Sequence, residues 1–301
     1  MEIPVRKKVL IDTGDGGFNG SLAPHGVGWV YVYRCGGITH GRPISQRHCL
    51  LDREYQPVAP IVEFSSGREL DPRIVQLADS YLVVSGFHPL STDPVRGRSS
   101  PRLRRLTVEA GVVRLSDPVP LESPDLPLRA VEKNWLPFVV DRRVHLVYKA
   151  EPHVILELGA GGLRPRTHVS QQNLRWRWGA VSGGTPPLRI GPGEYLTFFH
   201  SHLSADPVDY RTPRVYFAGA YTFRARPPFE ITRVTHEPLS WEGLGEAGPS
   251  PAWHRVVFPS GLQRRGDDLV LVYGENDAFS FALETPIEAL LGALRPVRAA
   301  A

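Results

Sequence analysis

One pattern recurs five times along the chain, and this repeat restricts the possible folds more than any other feature of the sequence. Each copy has a short strand with a polar start, a turn rich in Gly, Asp or Arg, and a second strand rich in Val, Leu, Tyr and Phe. The copies occupy residues 18–34, 69–86, 132–150, 183–201 and 256–274. Their spacing leaves room for a sheet of about four strands per copy.

Five such sheets in 301 residues predict an all-β protein, a five-bladed β-propeller built as a single domain over residues 1–301. The first strand of each copy would line a central channel, with its polar first residues at the channel mouth. A β-sandwich is the alternative, but it does not predict one polar residue at the start of every copy. The segment TPIEALLGALRPV near the C-terminus predicts a short helix capped by Thr285, with Pro286 at its first position.

Composition excludes several other classes of protein. The 29 Gly and 29 Pro residues are spread along the chain, which is typical of many short strands joined by turns. The net charge of +4 is small and the Arg residues are interspersed with acids, so no nucleic-acid partner is expected. Two cysteines, Cys35 and Cys49, are too few for a disulfide framework, although one bridge between them remains possible. No apolar run reaches membrane-spanning length and no signal peptide is visible, which favours a soluble, cytoplasmic protein without a membrane partner.

In a propeller, the polar residues that open the copies would converge at one end of the channel. These residues are Asn19, Asp71, Lys133 with Asn134, and Thr185. A channel mouth with acids and bases suits an enzyme acting on carbohydrates, although the fold alone does not decide the function.

Two carboxylates are candidates for acid chemistry at this mouth. Asp71 precedes Pro72, which predicts an extended backbone at Asp71. Asp277 follows the second strand of the fifth copy. One carboxyl group at such a site can protonate the leaving oxygen of a glycosidic bond. The alternative for each residue is a purely structural role in a turn.

Cationic candidates accompany the acids. Lys133 opens the third copy, where other copies have neutral or acidic residues, and His200 ends an apolar strand. Arg34 and Arg73 lie on inner segments, where ion pairs within the propeller are the alternative to ligand binding. For His200, the alternative to ligand binding is a structural role at the end of its strand. The eleven His residues show no metal-ligand spacing beyond the fragment HSH, so no metal and no other cofactor is expected.

Taken in order, the copies resemble glycoside hydrolase family 130, the inverting β-mannoside phosphorylases and hydrolases with a five-bladed propeller. The resemblance runs from about residue 18 to 282. FNGSLAP…VYVYR is similar to the family's FNP…LLYR, LDPR to EDPR, SGGTPP…FHS to GGGTPP…YHG, and VVFPSG…YGEND to VVFPCG…YGAAD. The segment EKNWLPF resembles the family's lysine segment.

The resemblance implies roles for individual residues. It makes Asp71 the catalytic proton donor, acting through a sugar hydroxyl. It implies a phosphate site formed by Lys133 and His200. The residues implied to bind the sugar are Asn19, Arg34, Arg73, Asn134, Thr185 and Asp277.

The sequence also departs from the family pattern. Leu70 stands where the family has an acid, with Glu69 one place earlier, and the family's Arg–Asn phosphate pair has no aligned match. Arg96, or Arg98, is the candidate to complete the phosphate site, although a solvated surface turn is the other interpretation of this basic loop. The long N-terminal helix of oligomeric members is missing.

The expected function is phosphorolysis of a β-mannoside by inorganic phosphate as co-substrate, giving mannose 1-phosphate. Lys133 and His200 favour phosphate over water as the attacking group. The alternatives are an inverting β-mannoside hydrolase, a mannosyltransferase similar to those of glycosyltransferase family 108 using a sugar-phosphate donor, and a non-catalytic carbohydrate-binding propeller.

Overall fold

Five antiparallel sheets follow one another along the chain, which confirms the predicted five-bladed β-propeller. The structure is a computed structural model, and it describes residues 1–37, 40–87, 100–122, 132–159, 162–170, 172, 174–204, 206, 212–247 and 255–297. A short strand, β1 (Lys7–Leu10), precedes the first sheet and joins the last one. The sheets are called blades I to V in chain order.

The strands of the first three blades lie in sequence order from the channel outwards, apart from the short β9, which pairs with β8 beside β10. Blade I contains β2 (Phe18–His25), β3 (Gly28–Gly37), β4 (Arg42–Leu51) and β5 (Val62–Ser66). Blade II contains β6 (Glu69–Gln76), β7 (Tyr81–Phe87), β8 (Arg102–Glu109), β9 (Val112–Leu115) and β10 (Val119–Pro120). Blade III contains β11 (Leu136–Val140), β12 (Arg143–Ala150), β13 (His153–Gly159) and β14 (Gly162–Ser170).

The last two blades take strands from both ends of the chain. Blade IV contains β15 (Ser182–Gly183), β16 (Leu188–Gly191), β17 (Glu194–Ser204), β18 (Arg214–Arg224) and β19 (Ile231–Val234). Blade V contains β20 (Val257–Arg265), β21 (Asp268–Glu275) and β22 (Phe279–Pro286). Helix α1 (Ile287–Ala293) follows, and then β23 (Arg295–Pro296), which pairs with β19 of blade IV. Strand β1 pairs with β22 and completes blade V, so the ring is closed by the two chain ends.

The hydrophobic core is a ring of five clusters, each lying between two neighbouring blades. The inner strands touch around the channel, where β2 contacts both β6 and β20. Each interblade contact is represented by one pair of buried side chains: Val32 and Val83, Val84 and Leu146, Phe138 and Phe223, Phe198 and Leu271, and Leu22 and Val272. Because the apolar clusters lie between neighbouring blades, every interface is needed to close the ring.

The helix forms as predicted, but its N-cap differs. Thr285 remains in β22, paired with Leu269, and Pro286 is the N-cap without a side-chain capping bond. The prediction that Thr285 caps the helix is therefore wrong, because the strand ladder holds this residue. Ile287 and Leu290 are buried in the cluster between blades IV and V.

Two further sequence questions are answered by the described residues. Cys35 and Cys49 are both buried free thiols, so the possible bridge between them does not form. Within the described part of the chain, the structure has no helix long and apolar enough to cross a membrane.

Closure by the N-terminus gives a testable prediction. Ile11 follows β1 and is only 2% exposed, between blades I and V, whereas its neighbour Leu10 is 41% exposed. We expect Ile11→Ala to lower the free energy of unfolding by about 2–5 kcal/mol, because it leaves a cavity in the closing interface. Leu10→Ala, the matched control, should change it by less than about 0.5 kcal/mol. Urea unfolding measures both, and equal effects would contradict the closing role of this segment.

Candidate active site

Polar residues at the channel mouth have an unusual backbone conformation. Asn19, Asp71, Asn134 and Asp277 all have positive φ values, of 52°, 44°, 63° and 53°. This region is sparsely populated by residues other than glycine, and it occurs preferentially at functional sites. The prediction of an extended backbone at Asp71 is therefore wrong, and local tertiary contacts override the preference that a following proline imposes.

β-Bulges produce this conformation on two of the inner strands. The register between β2 and β3 shifts between Phe18 and Ser21, and that between β6 and β7 shifts between Leu70 and Arg73. An extra residue in one strand bends it and redirects the side chain at the bulge. In this way two neighbouring blades bring Asn19 and Asp71 into contact.

Asp71 lies at the centre of the cluster and is 8% exposed. Its Oδ1 accepts a hydrogen bond of 3.1 Å from Asn19 Nδ2, and the Arg34 Nη1 lies 3.3 Å from the same oxygen. Burial by itself raises the pKa of Asp71, but Arg34, Arg73, the Asn19 hydrogen bond and Lys133 together lower it below its ordinary value. At neutral pH Asp71 is therefore a carboxylate.

Arg73 braces the inner strands from inside the propeller. It is fully buried, and its Nε donates to the Gly184 carbonyl of blade IV at 2.6 Å. Its Nη1 donates to the Asp71 carbonyl at 3.0 Å, and its guanidinium stacks on Phe258 of blade V. Burial lowers the pKa of Arg73 to about 10, so the group is still charged at neutral pH. The same side chain thus ties three blades together and supplies positive charge under Asp71.

Asp277 has the opposite protonation tendency. It lies in the turn between β21 and β22, where burial and the charge of Asp71 raise its pKa, opposed by Arg34, Asn19 and His40. Its backbone carbonyl accepts a hydrogen bond of 2.6 Å from His40 Nε2. The two carboxyl groups therefore share Asn19 and Arg34 as neighbours but differ in their affinity for a proton.

His200 and Lys133 form the nitrogen-rich side of the cluster. The ring centroid of His200 lies 4.5 Å from that of Phe258, and its Nδ1 is buried without a partner among the described residues. Burial, followed by the charges of Lys133 and Arg73, lowers the pKa of His200 to about 3, so the ring is neutral. Lys133 is exposed and lies within electrostatic reach of both His200 and Asp71.

The remaining predicted residues lie nearby or outside the described chain. Asn134 donates from Nδ2 to Ser182 Oγ at 2.9 Å, and its buried Oδ1 has no partner among the described residues. Thr185 is fully buried, and its hydroxyl accepts a hydrogen bond from the Phe198 backbone of β17. That hydroxyl is thus already engaged with the blade. Arg96 and Arg98 lie outside the described residues.

Glu69, two residues before Asp71, is bound to another residue. The Glu69 carboxylate forms a buried ion pair with Arg104 on β8. This pair lies within blade II, so Glu69 has a structural partner of its own.

Sequence reasoning missed Tyr216. Its ring stacks on His200 and His202 at centroid distances of 6.1 and 5.1 Å, and it hydrogen-bonds with Arg214. Burial, then the charge of Asp277, raises the pKa of Tyr216. The only available signal was one aromatic residue among several in a strand, which is equally typical of the core.

Two hollows lie at the edge of the cluster. One, of about 360 Å³, is lined by Lys133, Asn134 and Ser182 among others. The other, of about 700 Å³, is lined by residues that include His40, the partner of Asp277. Neither lining includes Asp71 or Asp277, so these hollows meet the cluster only at its edge, through Lys133, Asn134 and His40.

No protein-family model matches the sequence, and no curated protein matches it. Solved structures do match it. A β-1,2-mannobiose phosphorylase from Listeria innocua, in complex with β-1,2-mannobiose, superposes with a TM-score of 0.63 at 15% identity, covering 96% of this chain and 93% of its own. A mannose phosphorylase from Leishmania mexicana, in complex with a phosphate ion, superposes at 0.62 and 11% identity, covering 98% and 92%.

A third structure comes from a study of the glycoside hydrolases within the GH130 family of mannoside phosphorylases. It has a TM-score of 0.58 and 18% identity, and the match covers 95% of this chain and 86% of its own. The chain has the fold of these carbohydrate-active proteins. The predicted resemblance to this family is thus confirmed in fold, over nearly the whole described propeller.

Asn19 is positioned by a close approach to β21, which can be tested. A Cβ atom at Gly274 would lie 1.9 Å from Asn19 Oδ1, whereas one at Gly193 would meet nothing within 4 Å. We expect Gly274→Ala to lower the free energy of unfolding by about 1–3 kcal/mol through overpacking, and Gly193→Ala, the control, to have little effect. In the double variant Asn19→Gly/Gly274→Ala, the clash with Oδ1 disappears, so part of the loss should be recovered. Additive effects in urea unfolding would contradict this contact.

Proposed function

We propose that the protein is an inverting glycoside phosphorylase, which uses inorganic phosphate to cleave a β-mannoside and releases mannose 1-phosphate. The observation that carries this proposal is the arrangement around Asp71. A buried carboxylate is hydrogen-bonded to Asn19 and paired with Arg34. A lysine, and a neutral histidine whose Nδ1 has no partner among the described residues, lie within electrostatic reach of it. Asn19 and Arg34 suit a sugar, and the lysine and histidine suit an anion.

The proposed reaction is an in-line displacement. A phosphate oxygen attacks the anomeric carbon from the face opposite the leaving group, while the glycosidic C–O bond breaks and the configuration inverts. Asp71 supplies the proton that the leaving oxygen takes up, relayed through a sugar hydroxyl. Holding the dianion in line lowers the barrier because the reacting atoms are already positioned.

Asp71 must carry a proton to act in this way, although its neighbours in the protein lower its pKa. Among the causes of that lowering is the positive charge of Lys133. A phosphate dianion bound at Lys133 offsets this charge and adds a negative charge near the carboxylate, so it raises the pKa of Asp71. Binding of phosphate would thereby prepare the proton donor.

The phosphate ligands in this proposal are Lys133, His200 and Arg96. Lys133 contributes a positive charge and three hydrogen-bond donors. His200 contributes a neutral imidazole ring whose Nδ1 has no protein partner among the described residues. Arg96 is retained from the sequence prediction as the third group.

The sugar ligands in this proposal include Asn19, Arg34 and Asp277, which offer hydrogen-bonding groups to a mannosyl unit. Asn134 has a buried Oδ1 without a partner among the described residues. Arg73 and Thr185, which are fully buried and bonded within the propeller, complete the predicted set by holding the neighbouring backbone in place. Tyr216, stacked on His200, adds an aromatic face of the kind that packs against sugar rings. The reaction is proposed to occur in the cytoplasm and to need no cofactor.

Structural neighbours support this choice of substrate class. The Listeria innocua protein is described as a β-1,2-mannobiose phosphorylase in complex with that disaccharide, and the Leishmania mexicana protein as a mannose phosphorylase in complex with phosphate. A glycan with β-mannosidic linkages and phosphate is therefore the first substrate pair to test.

A hydrolase is the second candidate, and one observation favours it. The pKa of Asp71 is lowered while that of Asp277 is raised, which is the separation expected of a base and an acid acting on a water molecule. In that reaction Asp277 would be the acid and Asp71 the base. The lysine and histidine beside Asp71 have no evident role in it, and for that reason phosphorolysis is preferred.

Product analysis tests the proposal directly. A panel of β-mannosides is incubated with and without phosphate, and mannose 1-phosphate and free mannose are measured. We expect mannose 1-phosphate only when phosphate is added. Asp71→Asn should lower the rate by about 10²–10⁴-fold, since it removes the proton donor.

The matched control is Asp79→Asn, in an exposed turn of the same blade, which should keep wild-type activity. Free mannose without phosphate would indicate the hydrolase, and transfer from a sugar-phosphate donor would indicate a transferase. Full activity in Asp71→Asn would contradict the assigned proton donor, and sugar binding without turnover would indicate a binding protein.

Lys133 tests the phosphate site separately. Because it lies within reach of His200 and Asp71, Lys133→Ala should raise the KM for phosphate by roughly 10- to 100-fold through loss of a charge-assisted bond. The KM for the mannoside should change by less than about twofold. Lys149→Ala, which lines the same hollow, is the control. Equal increases in both KM values for Lys133→Ala would contradict its role.

A further inference from the structure

Three potential metal ligands meet on blade III, away from the channel cluster. His145 lies on β12, Glu157 on β13 and His168 on β14, and each offers one ligand atom within 4.8 Å of the others. Among the described residues, this is the one group of His, Cys, Asp and Glu side chains close enough together to hold a metal ion.

The strand register explains why these side chains share a face. His145 lies directly opposite Glu157, and His168 lies opposite Ile155, two residues before Glu157. Residues opposite one another across a ladder, and residues two apart along a strand, point to the same side of a sheet. Three adjacent strands thus direct two imidazoles and one carboxylate to one place.

A fixed tautomer prepares His145 for binding. Its Nδ1 lies 3.2 Å from the Arg143 carbonyl oxygen, which can only accept, so Nδ1 carries the hydrogen and Nε2 has the free lone pair. Metal-bound histidines usually donate their second N–H to such a partner.

The surroundings are apolar on one side and open on the other. His145 and Glu157 are about 95% buried, and the ring of Phe229 lies 5.5 Å from His145 and 5.2 Å from His168. His168 is only partly buried. The Arg143 guanidinium, whose side chain is 64% exposed, lies 3.4 Å from the Glu157 carboxylate. A cation entering from solvent would compete with this exposed arginine for the Glu157 carboxylate.

We propose that His145, Glu157 and His168 bind one divalent transition-metal ion, for which Zn²⁺ is the best match. Two imidazoles and one carboxylate form a donor set that Zn²⁺ accepts, with water in the fourth position, whereas Mg²⁺ and Ca²⁺ prefer oxygen ligands. The ion fastens β12, β13 and β14 to each other beside the interface with blade IV. The site lies on blade III, away from the channel cluster, and does not depend on the proposed reaction.

Sequence spacing could not indicate this site. The three residues are 12 and 11 positions apart, on separate strands, and no short motif contains any two of them. Only the antiparallel register brings them together.

Calorimetric titration of the full chain with ZnCl₂ tests the proposal. We expect one saturable site per chain, a rise in the melting temperature on adding Zn²⁺, and neither effect with MgCl₂. His145→Gln, Glu157→Gln and His168→Gln should each weaken Zn²⁺ binding by at least about tenfold. His236→Gln, which lies outside the cluster, is the control and should bind Zn²⁺ like the wild type.

Arg143→Ala is expected to raise the affinity for Zn²⁺, an effect that misfolding cannot produce. Removing the competing guanidinium should tighten Zn²⁺ binding by up to about fivefold, because the arginine is exposed to solvent and ion pairs of exposed groups contribute at most about 1 kcal/mol. His202→Gln monitors the channel, where His200 and His202 lie on one strand. Loss of Zn²⁺ binding in His202→Gln but not in His168→Gln would overturn the proposal. It would also be overturned if the wild type showed no saturable Zn²⁺ binding, or if all three ligand variants bound Zn²⁺ with wild-type affinity.

Discussion

Closure of the ring is the constraint on which the rest of the structure depends. Each blade buries its apolar faces only against its two neighbours, so the five core clusters form a circle without a common centre. A gap at any one interface would expose the apolar faces of two blades. Pairing of β1 with β22 completes the last blade with strands from both ends of the chain, and β23 covers the outer edge of blade IV by pairing with β19. The geometry of the channel follows from that closure.

Once the ring is closed, the bulges on the inner strands determine what the channel mouth contains. Non-glycine residues with positive φ are costly, and such conformations persist only where surrounding contacts hold them. Here the contacts are present: Asn19 is packed against Gly274, and the backbone of Asp71 is bonded to Arg73. Arg73 in turn reaches blades IV and V. Local strain at the mouth is therefore supported by the same interblade packing that stabilises the fold.

Electrostatics at the mouth are balanced rather than uniformly positive or negative. Arg34 lies between two carboxyl groups and contributes to lowering the pKa of both, yet burial and the charge of Asp71 keep that of Asp277 raised. His200 stays neutral because it is buried beside Lys133 and Arg73. A bound anion would have a strong effect on such a site, since one added negative charge raises the pKa values of Asp71 and His200 together. This sensitivity connects phosphate binding to proton donation in the proposed reaction.

The sequence by itself determined the architecture and most of the channel cluster. A repeated two-strand pattern can be recognised in a single sequence because it is a local property. The five blades and their inner strands followed from this repeat. Together with the family resemblance, it also predicted the grouping of Asn19, Asp71, Lys133, His200 and Asp277. Tertiary structure alone decided the left-handed backbone of Asp71, the engagement of Thr185 with β17, the N-cap at Pro286 and the place of Tyr216 beside His200. These depend on bulges, ladder register and contacts between blades, which join residues far apart in the chain. The cluster of His145, Glu157 and His168 belongs to the same class, because register across three strands is a pairing property that no single strand encodes.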